Sequence, residues 1–226
     1  MEKKRDWRVN IMSKQNISLS VIKRLPKYYR YLESINDKGI IRVSSKELSE
    51  ITGLTASQIR QDLNHFGCFG QQGYGYNVKE LIDELSRIIG VNKDYKLVLI
   101  GYGNIGHALY QYKSFSNLGY EFEAVFDKEA KDLSDQDLEV KGIDDLEDFL
   151  KKNNIDIGII ATPKEAAQEV ADILCEGGIK GIWNFSPVDL KVKNGVVIES
   201  VHLDESLFTL TYFMNCLLYT SDAADQ

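Results

Sequence analysis

Apolar residues at Val21, Ile22, Leu25, Tyr28, Tyr29, Leu32 and Ile35 recur at the spacing of one helix face. The pattern predicts an amphipathic helix, with Pro26 as a kink or as a start within it. Asn36-Asp37-Lys38-Gly39 closes it with turn chemistry. Ser44-Ser45-Lys46-Glu47 has the form of a capping box, and a short helix through Leu48 and Ile51 is expected after it. Gly53 supplies a turn. Thr55-Ala56-Ser57-Gln58 forms a second box and opens a helix through Ile59, Leu63 and Phe66. Two short helices joined through a glycine form a helix-turn-helix. The helical spacing then stops. Gly67-Cys68-Phe69-Gly70-Gln71-Gln72-Gly73-Tyr74-Gly75-Tyr76 is dense in glycine and aromatic residues, and suits a tight β-hairpin, the wing of a winged helix.

The period changes again near residue 91. Tyr95 to Ile100 is a strand-like apolar run, and Gly101-Tyr102-Gly103-Asn104-Ile105-Gly106 follows at once as G-x-G-x-x-G. A helical pattern comes next, through Ile105, Ala108, Leu109 and Tyr112. A second strand, Phe122 to Phe126, ends in Asp127. Asp144 to Lys152 reads as a helix, Ile155 to Ile160 as a buried strand, and Lys164 to Cys175 as a helix opened by Thr162-Pro163. Gly181 to Phe185 and Val196 to Ile198 are further strands. This is a βαβ series, the pattern of an open α/β sheet.

Each part of the glycine loop has a physical reason. Gly101 makes a tight turn, Gly103 lets a pyrophosphate reach the backbone, and Gly106 lets the helix pack close to the strand, with its N-terminus toward the phosphate charge. Asp127 stands 26 residues after Gly101. There a carboxylate accepts hydrogen bonds from ribose hydroxyls and repels a 2′-phosphate, which favours NAD(H) over NADP(H). Lys128, directly after it, weakens that preference. Thr162-Pro163 and Phe185-Ser186-Pro187 follow the ends of their strands, where open α/β sheets hold ligands. Plain loop geometry is the alternative for both.

Charge divides the chain in the same place. Residues 1–78 carry 13 Lys and Arg against 7 Asp and Glu, a net of +6, while the chain as a whole is −7. Only the first part is therefore suited to a polyanion. Ser57, Gln58, Arg60 and Gln61 lie near the start of the second short helix, and Gln and Arg pair with adenine and guanine edges. The glycines of the hairpin allow close approach, and its tip can enter a minor groove. An ordinary solvated helix face is the competing reading. Cys68, Cys175 and Cys216 are far apart and form no CxxC, so neither a disulfide framework nor a zinc site is expected. No run approaches the roughly 18 apolar residues that span a bilayer. Met1 to Asn16 lacks the apolar core of a signal peptide, and the protein is expected in the cytoplasm.

The combined string resembles the Rex family of redox-sensing transcriptional repressors. The segments that carry the resemblance are Val21 to Leu32, Arg42-Val43-Ser44-Ser45, Gln58 to Leu63, Gly73-Tyr74-Gly75-Tyr76, Gly177 to Ile182 and Asn184-Phe185-Ser186-Pro187. It covers about residues 13–215. It implies an α/β protein with a winged helix-turn-helix domain at 13–90, a Rossmann-like NAD(H)-binding domain at 91–202, and a swapped C-terminal helix at 203–215 that inserts between the partner's domains. It further implies a homodimer on double-stranded operator DNA with an inverted repeat. NADH rotates the protomers and releases the DNA, whereas NAD+ competes without releasing it. The DNA contacts would be Ser57, Gln58, Arg60, Gln61, Gln71, Gln72, Gly73 and Tyr74.

Three departures stand out. The family often has a basic residue at position 61 and in the wing, whereas this chain has Gln61, Gln71 and Gln72. The family's switch joins an Arg, a Tyr and an Asp; Arg30 and Tyr112 match the first two, and His202 stands at the third. Asp204 is one candidate substitute, His202 could act through its own titration, and a hydrogen-bonded structural histidine is the plain alternative. The match also fades at both ends. Residues 1–11 precede Met12 and read as an upstream mis-start, and 216–226 lacks the periodicity to extend the helix and reads as an artefact.

Two rival functions remain at this point. An NAD-dependent oxidoreductase needs a proton-transfer group, but no Tyr is followed by Lys four residues later, and His202 is the sole candidate. A subunit resembling CoA-binding domains, with no DNA role, leaves the basic head unexplained. A regulator without catalysis or metal is the expectation.

Overall fold

The computed structural model describes residues 17–67, 70–71, 74–130 and 138–222. The chain divides into two compact units between Lys93 and Asp94.

The first unit opens with α1 (Leu19–Asn36), capped by the Ser18 hydroxyl, which accepts from Val21 N–H. Pro26 lies on its exposed side, and the helix runs through it. The short strand β1 (Arg42–Val43) leads to α2 (Ser45–Thr52). Both halves of the Ser44/Glu47 capping box form. Gly53, at φ +71°, ends α2 in the left-handed region. Helix α3 (Ala56–Asn64) is capped by Thr55 through the Gln58 N–H alone, so the second box forms only in part. The predicted wing is the antiparallel pair β2 (Gly70–Gln71) and β3 (Gly75–Asn77), and β1 pairs with the far side of β3. Gly75, at φ +69°, lies so close to β1 that a Cβ would come within 2.6 Å of the Val43 carbonyl oxygen. Helix α4 (Val78–Ile89) was not anticipated. Asn77 caps it, and Val78, Leu81 and Leu85 join the core made by Leu25, Tyr28, Leu32, Leu48, Ile59 and Leu63.

The second unit is a six-stranded parallel sheet. Its strands are β4 (Tyr95–Ile100), β5 (Tyr120–Asp127), β6 (Val140–Gly142), β7 (Ile157–Ile160), β8 (Gly181–Asn184) and β9 (Val197–Ser200). They lie in the order β6-β5-β4-β7-β8-β9, the doubly wound arrangement that binds dinucleotides where the order reverses. Strand residues alternate between two cores. Val98, Ile100, Phe126, Ile160 and Ile182 face one, with α7 (Leu146–Lys152) and α8 (Lys164–Glu176). Leu97, Leu99, Val125, Ile159 and Trp183 face the other, with the aromatic residues around α5 (Asn104–Tyr110) and α6 (Ser114–Asn117). Such strands are apolar on both faces, which is why they read as continuous runs. The expected helix from Asp144 begins with a 3₁₀ turn at Ile143–Asp145.

Helix α9 (Leu203–Asp222) continues seven residues past Asn215, where a break was expected. Leu203, Leu207, Phe208, Leu210, Tyr212, Phe213 and Met214 on it are all more than half exposed. Among the described residues, no helix is long and apolar enough to cross a membrane, and no group of three or more His, Cys, Asp or Glu could hold a metal ion.

Candidate nucleotide and nucleic-acid sites

In the second unit, three loops meet at the C-terminal ends of adjacent strands. The first is the glycine loop after β4. Gly101 has φ +94°, and a Cβ there would lie 2.7 Å from the Ala161 carbonyl. Gly106 is tighter: a Cβ would stand 1.9 Å from the Gly101 carbonyl oxygen. These two glycines are demanded by packing. Gly103 is different, because a Cβ there meets nothing within 4 Å and its φ of −68° suits any residue. Tyr102 is buried, with its ring 5.4 Å from that of His107, while Asn104 and Ile105 are exposed at the start of α5.

Asp127, at the end of β5, turns back to this loop. One carboxylate oxygen accepts from Tyr102 N–H at 2.6 Å, and the other accepts from Glu129 N–H at 2.9 Å. The carboxylate therefore braces the glycine loop, a task that its spacing alone did not disclose. Each oxygen keeps further acceptor capacity.

The other two loops follow β7 and β8. Ser186, 1% exposed, donates its hydroxyl to the Thr162 carbonyl at 2.6 Å. Phe185 N–H donates to the Ile160 carbonyl at 2.8 Å. Pro163 occupies the N-cap position of α8 without a side-chain capping bond, and Pro187 is exposed. Asn184, fully buried, ties the second loop together. Its Nδ2 donates to the Val188 carbonyl at 2.9 Å and toward Ser200 Oγ at 3.3 Å, and its Oδ1 accepts from Ser186 N–H at 3.0 Å. The Thr162 hydroxyl oxygen is buried beside these loops with no hydrogen-bond partner, an arrangement that a protein seldom tolerates without a ligand or water. An open approach to the Gly103 backbone, a braced carboxylate and an orphan hydroxyl fit a dinucleotide along this edge of the sheet.

In the first unit, Ser57, Arg60 and Gln61 are exposed on α3, and Gln58 is half-buried. Arg60 donates to the Ser45 hydroxyl at 2.8 Å. Tyr74 is 68% exposed, and its carbonyl accepts from Arg42 at 3.2 Å. Gln71 lies in β2, whereas Gln72 and Gly73 fall outside the described residues. Arg42, named in the sequence only within a segment of the resemblance and given no site role there, ties β1 to the wing.

The residue that sequence reasoning missed is Asp62. It sits on the buried stripe of α3 with Ile59 and Leu63. Arg24 donates to it twice, from Nε at 2.6 Å and Nη2 at 2.8 Å, and the Tyr28 hydroxyl donates at 2.6 Å. Burial pushes the carboxyl up, but the bonds from Arg24 and Tyr28 outweigh it and hold Asp62 below the ordinary carboxylate range. Burial, with Asp62 beside it, raises the Tyr28 hydroxyl. An acidic residue on an apolar stripe demands such partners, and that was the available signal.

The three proposed switch positions lie in different units. Arg30 is exposed on α1, with its guanidinium 5.2 Å from the Tyr31 ring. In the second unit, Tyr112 is 56% exposed just beyond α5, and His202 lies 3.5 Å from Asp189 just before α9. Asp204 is in the first turn of α9.

Two family models match this chain: "CoA binding domain" over residues 92–188 and "Putative DNA-binding protein N-terminus" over 16–64. The redox-sensing transcriptional repressor Rex of Clostridium tetani is 57% identical over 204 residues, covering 89% of this chain and 97% of that protein. Rex of Clostridioides difficile is 53% identical over 206 residues, covering 90% and 98%. A crystal structure of the Rex-family repressor RSP with β-NAD+ and operator DNA is 48% identical with a TM-score of 0.83, covering 93% of this chain and 98% of that one. RSP with β-NADH is 47% identical, at a TM-score of 0.82 over 91% and 98%. The chain belongs to the Rex family of redox-sensing transcriptional repressors.

Proposed function

We propose that two copies of this chain hold operator DNA through their winged heads and release it when NADH occupies the glycine loops. Transcription then follows the NADH/NAD+ ratio. The observation that carries this is the pairing in one chain of a dinucleotide cradle at Gly103 with a basic helix-turn-helix head. Its 48% identity to a repressor solved with β-NAD+ and operator DNA supports it.

Gly101, Tyr102, Gly103, Asn104, Ile105 and Gly106 receive the pyrophosphate against backbone, and Asp127 accepts from the adenosine ribose. Thr162, Pro163, Phe185, Ser186 and Pro187 line the nicotinamide end, where the orphan Thr162 hydroxyl finds a partner. When bound, the nicotinamide supplies a difference of one positive charge between its oxidised and reduced rings. The apolar Phe185 and Pro187 accept the neutral ring more readily than the cationic one. Arg30, Tyr112 and His202 are the residues through which that preference reaches the heads. Linkage requires that DNA weaken NADH binding by the factor by which NADH weakens DNA binding.

On the DNA, Ser57, Gln58, Arg60 and Gln61 of α3 meet the major groove, and Gln71, Gln72, Gly73 and Tyr74 of the wing meet the adjacent groove. The exposed apolar residues of α9 form the homodimer contact. The chain regulates in the cytoplasm and does not catalyse. That reading rests on the likeness to repressors.

Fluorescence anisotropy on a labelled inverted-repeat duplex tests this. Adding NADH should weaken binding by about 5- to 150-fold, and NAD+ should preserve it. Equal binding in every nucleotide state overturns the proposal, and release by coenzyme A instead of NADH transfers the site to that ligand.

A further inference from the structure

The nucleotide loops and the surface of the second unit are joined by an unbroken run of aromatic rings. Trp183 stands on β8 two residues before Phe185, so both side chains leave the strand on one face. Their ring centroids are 4.6 Å apart. Trp183 next meets Phe115 of α6 at 5.7 Å, and Phe115 meets Tyr112 at 4.9 Å. Each contact is edge-to-face, with interplanar angles of 63°, 77° and 63° along the run.

We propose that Phe115 and Trp183 are positioning residues that carry the state of the loop at Phe185 to the exposed ring of Tyr112, and so set how strongly nucleotide binding is coupled to DNA release. This rests on the reading of the chain as a nucleotide-controlled repressor.

The two ends of the run differ in a way that suits transmission. At the inner end the backbone is fixed, since Phe185 N–H is bonded to Ile160 and Ser186 is buried and bonded to Thr162. A ligand pressing on this loop therefore moves the Phe185 ring rather than the chain. At the outer end Tyr112 is 56% exposed and has room to change position. Between them, Phe115 is backed by Tyr120 and Phe122, each at 6.4 Å. Edge-to-face rings in contact restrict one another's rotation, because turning one moves its edge toward the next. Tyr112 also lies just beyond α5, the helix that starts in the glycine loop, so both parts of the nucleotide site converge on it.

The test measures the coupling factor, the ratio of operator Kd with and without NADH, for Phe115→Leu, Trp183→Leu and Trp183→Phe. Leucine keeps apolar volume and removes the ring; phenylalanine restores a ring at 183. The two leucine variants should bind NADH alone and operator alone within about two-fold of the parent protein. Their coupling factor should fall most of the way to 1, and Trp183→Phe should recover most of it. The double leucine variant should lose no more than either single one, since both interrupt one path. If Phe115→Leu lowers the yield of folded protein, Trp183→Leu provides the same interruption one ring further in. Unchanged coupling with normal separate affinities overturns the proposal, as does a loss of stability alone. If the parent protein itself shows no NADH-dependent release, the functional reading fails instead, and the variants are not needed to see it.

Discussion

Arg24 on α1 grips Asp62 on α3 through two parallel hydrogen bonds, with Nε at 2.6 Å and Nη2 at 2.8 Å. This fork fixes the roll of α3 against α1, and with it the direction in which Ser57, Arg60 and Gln61 point. Asp62 side-chain exposure is 3% and that of Arg24 is 20%, so the carboxylate has little water to fall back on if the pair is cut. Removing one partner of a buried pair costs about 3–5 kcal/mol. Arg24→Met should therefore destabilise the head by an amount near the lower figure, as read by urea denaturation. A loss under about 1 kcal/mol would place the pair with ordinary surface bridges.

The same carboxylate sets an acid limit. Its folded pKa lies below the unfolded value, so its contribution is complete above about pH 4 and is lost as acid protonates the folded state. Asp62→Asn removes the titrating group. The stability gap between the parent protein and this variant should be constant near neutrality and should shrink as the pH falls below about 4. Denaturation at a series of pH values checks this, and a gap that widens in acid contradicts it.

Arg60 reaches the Ser45 hydroxyl at 2.8 Å, so it is held near the start of α2 rather than loose in solvent. Arg60→Ala should cost about 1–3 kcal/mol of operator binding if the side chain reads a base, with relaxed preference at one position. An equal loss on every sequence assigns it to a phosphate. Ser45→Ala should reproduce a small part of either effect, because it frees Arg60 without removing it.

Gly103 and Gly106 separate binding from folding. Gly103→Ala fits the chain, since nothing stands within 4 Å of the added methyl. It should melt like the parent protein and bind NADH weakly, leaving a repressor that stays on its operator. Gly106→Ala drives a methyl against the Gly101 carbonyl at 1.9 Å and should lower the yield of folded protein. Calorimetry of NADH binding, set beside thermal melts, distinguishes the two. Normal NADH release by Gly103→Ala would remove that glycine from the site.

Asp127 has two duties, one to the loop and one to the ligand. Asp127→Asn keeps an acceptor for Tyr102 N–H and removes the charge that opposes a 2′-phosphate. Competition binding should show the preference for NADH over NADPH narrowing. If Tyr102 instead loses its anchor, both nucleotides weaken together.

The sequence was legible wherever a local rule operates alone. The Ser44/Glu47 box, the stop at Gly53 and the glycine loop are each decided by residues within a few positions, and each stands where its spacing puts it. The central strands β4 and β7 were readable because both faces are largely buried, whereas the three-residue β6 was not read from the sequence. Helix α4 was missed despite its Asn77 cap and its regular Val78, Leu81 and Leu85, since the glycine-rich hairpin directly before it masks the return of the helical period. What could not be read is pairing across distance. Nothing near Asp62 names Arg24 as its partner, 38 residues earlier, and the bond from Asp127 to Tyr102 spans 25. The C-terminal helix runs past its expected end because a ladder of backbone hydrogen bonds, once nucleated, propagates one residue at a time even where the apolar period fades.

Apolar side chains encircle α9. Leu203, Leu207, Leu210 and Met214 follow one line along the cylinder, Phe208 and Tyr212 occupy the opposite side, and Phe213 stands between them. A flat partner could shield only one flank of such a rod. Covering the full circumference would take a sleeve rather than a wall. On the proposed homodimer contact through α9, dilution should lower the melting temperature, because separating the two chains would leave both tails wet.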